Sequence, residues 1–190
     1  VMWSAVDAKK SVVMCKLLLD TVGMDLATLT DNRGETVLHY AASSPSQHTF
    51  LFLRSYTGVE LVYERDNIGK TGLMEAVSYG KDKIVKAYLG AGGERLALMQ
   101  SDCGDCALSI AMTKRDTKTA LLILKLCRSL FLPVTRRGWE ALVLAIEWDL
   151  WMVARSMLKI GGGELAAYVC SDKVPCTALH VAVREHNVRM

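Results

Sequence analysis

The amino-acid sequence predicts an all-α solenoid of short paired helices joined by hairpin turns, and three observations carry that prediction. One pattern recurs in register: TVLHYAA at Thr36, TGLMEAV at Thr71, CALSIAM at Cys106, EALVLAI at Glu140 and TALHVAV at Thr177, at spacings of 35, 35, 34 and 37 residues. Within the copies, apolar residues return at i, i+3 and i+4, the period of one helix face. Breakers fall between the periodic runs: Pro45, Pro133 and Pro175, and almost all of the 14 glycines, lie where a helix has to stop. No short helix of this kind buries its apolar stripe alone, so neighbouring units must stack into one continuous core.

Taken in order, residues 1–20 open inside a first helix, where Met2, Ala5 and Val6 match Leu73, Ala76 and Val77 of the clearest unit. Val13, Met14 and Leu18 likewise match Ile84, Val85 and Leu89. Val22 to Gly34 form a connecting hairpin, and residues 36–56 the next helix pair, broken at Pro45. The clearest unit is Asn67 to Gly93: Gly69 suits a tight turn, Thr71 caps a helix, and Gly80 separates two apolar-faced runs. Gly90, Gly92 and Gly93 are expected to close the second run. Pairs at 106–127 and 140–160 follow. Their second helices, with Leu121 to Leu124 and with Met152, Val153, Ala154, Met157 and Leu158, are apolar enough for burial on both sides. At 177–185 another first helix begins. The expected division is a partial repeat over 1–30, repeats over 31–65, 66–100, 101–134 and 135–171, and a partial repeat over 172–190, read together as one domain. Neither end reads as the polar cap a solenoid needs, so the natural chain is expected to continue.

A Gly-containing hairpin followed by Thr-x-Leu-His, as in Thr36 to His39 and Thr177 to His180, resembles the ankyrin repeat, whereas a tetratricopeptide unit carries its own Trp, Tyr and Pro signature. The departures are specific. Cys106 and Glu140 replace the Thr, Met74, Ser109 and Val143 replace the His, and the usual following Pro is absent from all five copies. The resemblance implies an all-α ankyrin-repeat solenoid and a structural task for His39 and His180, with the imidazole tying a first helix to backbone near the hairpin. It also implies that partners meet the hairpin tips and the exposed ends of the first helices.

Composition narrows the function classes. With 51% hydrophobic and 23% charged residues, the chain holds enough apolar surface for a core and too little polarity for disorder. A net charge of +3 from 23 basic and 20 acidic residues leaves no basic footprint for nucleic acid. No apolar run approaches the roughly 20 residues needed to cross a bilayer, and no signal-peptide core opens the chain. Cys15, Cys103, Cys106, Cys127, Cys170 and Cys176 fall in different repeat phases and form no secreted disulfide framework. Reduced thiols in the cytoplasm, or in the nucleus, are expected.

The same reading argues against catalysis. His39 and His180 lie four units apart, roughly 40 Å at about 10 Å per packed helix layer, and cannot share a site. His48 and His186 have no evident nucleophile beside them. Cys103-x2-Cys106 supplies half of a zinc site without a second half. Gly161 to Gly163 follow a helix rather than open one, and no phosphate-loop Lys-Ser/Thr accompanies them. No catalytic residue, metal or cofactor is expected. Recognition remains, at positions that differ between copies: Tyr79, Lys114, Arg136, Arg137, Trp139, Glu147 and Trp148. The two Trp offer apolar anchors and the Arg pair selects carboxylates or phosphates, unless the Trp side chains pack against adjacent repeats instead. The expectation is a monomeric, non-catalytic module that binds a protein or peptide. Its alternative is the regulatory arm of a larger signalling enzyme whose catalytic domain lies outside these residues.

Overall fold

A short motif, Asp/Ser-x-x-Gly, builds the first local structure. In Asp31 to Gly34, Asp66 to Gly69 and Ser101 to Gly104, the glycine N–H donates to the carbonyl three residues back at 2.9–3.0 Å. The glycines reach φ of 75°, 75° and 84°, a left-handed geometry that residues with a Cβ adopt at a cost. The first side chain holds each loop. Asp31 Oδ1 accepts the N–H groups of Arg33 and Glu35, Asp66 Oδ1 those of Ile68 and Lys70, and Ser101 Oγ that of Asp105. Successive hairpins then join edge to edge: Asn67 N–H donates to the Arg33 carbonyl at 2.9 Å and Asp102 N–H to the Ile68 carbonyl at 3.1 Å.

The structure is a computed structural model that describes residues 9–23, 25–44, 47–127, 136–168 and 177–188, the side chains at 9–11, 136–139 and 186–188 excepted. The expected helix match at Met2, Ala5 and Val6, all three prolines, and Cys170 and Cys176 lie outside these residues. The fold is all-α: among the described residues there is no strand, only an isolated antiparallel bridge between Arg65 and Thr71. The helices are α1 (Lys9–Val22), α2 (Asp25–Thr28), α3 (Val37–Ser43), α4 (Gln47–Thr57), α5 (Gly72–Ser78) and α6 (Asp82–Leu98). They continue with α7 (Ala107–Thr113), α8 (Thr117–Leu126), α9 (Arg136–Glu147), α10 (Trp151–Ala167) and α11 (Ala178–Val188). The chain divides into two compact units, 1–107 and 108–190.

In the first unit α3 packs on α4 and α5, α5 on α6, and α4 on both α1 and α6. Leu38, Phe50, Leu53, Leu73, Met74 and Tyr88 are fully buried there. In the second unit α9 packs on α10 and α11, and α10 on α8, over Met112, Ile123, Leu124, Leu142 and Met157. The i, i+3, i+4 stripes read from the sequence therefore supply these cores.

Gly93 leaves helical geometry, at φ 57° and ψ −151°, and breaks the second run where the glycines were expected to; a further helical segment then continues to Leu98, and Gly162 divides α10 in the same way. Two expectations are corrected. Arg136, Arg137 and Trp139 form the first turn of α9, not a hairpin tip; in the stretch in register with the earlier loops, Thr135 to Gly138, Thr stands where those loops carry the Asp or Ser that holds them. Met152 and Leu158 are 46% and 38% exposed, so α10 is not buried on both sides among the described residues.

One backbone position repeats without its glycine. Gly80, Arg115 and Asp149 occupy equivalent places after α5, α7 and α9, with φ of 63°, 56° and 60°. The left-handed turn is thus a requirement of the helix pair, kept even where Arg or Asp bears the steric cost.

Candidate functional site

His39 explains why the Thr-x-Leu-His motif recurs. The Thr36 N–H donates to Nδ1 at 3.1 Å and the Thr36 hydroxyl lies 2.9 Å from the same atom. A backbone N–H only donates, so Nδ1 is an acceptor and the proton resides on Nε2. Nε2 then donates to the Lys70 carbonyl at 3.1 Å. Both nitrogens of this buried ring are engaged, and they tie the start of α3 to the next hairpin. His180 makes the same local contacts: Nδ1 accepts from the Thr177 N–H at 3.2 Å and lies 2.9 Å from the hydroxyl.

A second polar cluster surrounds the first hairpin. Asp31 accepts the Tyr40 hydroxyl at 2.9 Å, Arg33 pairs with Glu35 at 2.5 Å, and the Arg33 guanidinium reaches the Tyr40 oxygen at 3.2 Å. Burial pushes the Asp31 carboxyl up, but hydrogen bonds from the Glu35 N–H, Tyr40 and the Arg33 N–H outweigh it and hold the group below its ordinary value. Glu35 goes the other way: burial raises it, and the opposing pull of Arg33 is smaller.

The expected recognition residues are placed as follows. Tyr79 follows α5 in the first unit and is 56% exposed. In the second unit Lys114 is exposed just past α7, and Trp148 is half-buried, its backbone N–H donating to the Leu144 carbonyl. Glu147, at the end of α9, pairs with Arg184 of α11 at 3.5 Å. Arg136, Arg137 and Trp139 lie on α9, with side chains outside the described residues. Among the described residues Cys103 and Cys106 form no disulfide, and no metal-binding group of His, Cys, Asp or Glu occurs.

Sequence reasoning missed a cavity of about 540 Å³ in the second unit, between α9, α10 and α11. Ala145, Ala154 and Ala182 leave room for it, one from each helix. Arg155, Lys159 and Glu185 also line it. A signal was present, since Trp151, Arg155, Leu158 and Lys159 recur at i, i+4, i+7 and i+8 on one helix face.

No protein-family model matches the chain. Among solved structures, it is similar to one chain of a structure described as a predatory endopeptidase from Bdellovibrio bacteriovorus in complex with an immunity protein. The identity is 24% and the TM-score 0.71, over 98% of this chain and 92% of the other. At that identity the likeness carries the fold. It nevertheless corrects four expectations. Membership of the ankyrin family falls, because no family model supports it and the structure sharing the fold is described by a peptidase and its immunity protein. The non-catalytic binding module or scaffold, the regulatory arm of a signalling enzyme, and the exclusion of enzymatic activity fall with it, because the fold occurs in a peptidase complex. The physical reason is common to all: a 35-residue period and capped helices specify a way of packing, not a chemistry. The solved neighbour is bound in a complex of proteins, and among the described residues of this chain no helix is long and apolar enough to cross a membrane.

Proposed function

We propose that this chain is one member of an endopeptidase–immunity protein pair. The observation that supports it is the extent of the likeness: 98% of this chain aligns with 92% of its counterpart, so whole architectures correspond rather than one shared motif. The partner in this reading is a protein. Tyr79, Lys114, Glu147 and Trp148, and Arg136, Arg137 and Trp139 on α9, are proposed as contact positions, each on its own unit. A cytoplasmic location belongs to the same proposal and is supported by Cys15, Cys103, Cys106 and Cys127 being thiols rather than disulfides.

The test uses the purified chain, a set of fluorogenic peptides and the Bdellovibrio endopeptidase. Cleavage of the peptides by the chain itself assigns it the peptidase role. Suppression of the added endopeptidase assigns it the immunity role. A chain that neither cleaves, nor inhibits, nor binds the endopeptidase in a pull-down is not a member of such a pair, and the proposal is withdrawn.

A further inference from the structure

We draw no further inference here: the strongest candidate, the cavity between α9, α10 and α11 lined in part by Trp151 and Leu158, carries nothing, because nothing in the structure shows what covers that face.

Discussion

Tyr88 shows how one residue carries the packing of several elements. Its hydroxyl has no solvent contact and donates to the Leu38 carbonyl at 2.6 Å, while its ring lies 4.2 Å from that of Phe50, centre to centre. The oxygen sits directly over Gly72, where an added Cβ would collide with it and lie 2.8 Å from the ring carbon that bears it. This glycine is therefore required by a close approach and not by its φ. Gly72→Ala should cost about 1–3 kcal/mol by overpacking, despite the better helix propensity of Ala. Tyr88→Phe should cost about 1 kcal/mol for the lost hydrogen bond. It also removes the nearest of the atoms that a methyl group on Gly72 would meet, leaving the ring carbon, so the double variant should be more stable than the summed single costs predict. Urea unfolding of the four proteins tests this, and strictly additive costs would mean that the two residues do not compete for space.

At the scale of an element, the first hairpin depends on the charge of Asp31. The Asp31 carboxyl is held below its ordinary value in the folded chain, so its stabilisation is fully present above the unfolded value of about 4 and is lost as pH falls through the lower folded value. Replacing it by Asn keeps an acceptor but removes the charge, and should cost about 1 kcal/mol at neutral pH. The gap between wild type and Asp31→Asn should stay level from pH 7 to 5 and close below about 4. Glu35 shifts oppositely: raised by burial, its ionisation costs folded stability at neutral pH, and that cost is relieved on acidification. The Asp31 charge is itself one of the causes that raise Glu35, so the comparison is made in a Glu35→Gln background, where the gap between the unfolding curves reports Asp31. A gap independent of pH down to about 2.5, well below the ordinary carboxylate range, would show that the loop is held by the backbone alone.

For the whole molecule, pairing has a thermodynamic signature that does not depend on which role the chain plays. A partner that binds only the folded state stabilises it by about 2.7 kcal/mol at a hundredfold excess over Kd. Titration with the Bdellovibrio endopeptidase or its immunity protein should raise the melting temperature of this chain with one of the two and not the other. No shift with either, at concentrations where those two proteins bind one another, counts against the pair.

Much of the architecture was legible in the residues. Leu73 and Leu142 are fully buried where the repeat places them, Gly69 takes the left-handed turn, and Thr71 precedes α5 as its cap. These are local matters of periodicity, φ preference and side-chain competition for nearby N–H groups, all encoded within a few residues. The misreadings share a different cause. The start of α9 at Arg136, the exposure of Leu158 and the cavity beside Arg155 depend on which distant segments pack on a face, and a stripe of apolar residues does not say what covers it. The candidate site was less legible still: the cavity joins Ala145, Ala154 and Ala182 from three helices, and no pattern within one helix brings them together.

The sequence by itself determined the helical class, the period of its units, the turn at Gly69 and the cap at Thr71, because these follow from interactions a few bonds long. Only the tertiary structure decided that His39 spends both ring nitrogens between two hairpins, that Tyr88 closes over Gly72, and that three alanines from three helices leave a cavity in the second unit. Each of these joins residues remote in the chain, and what they share is a position in space that no local pattern specifies.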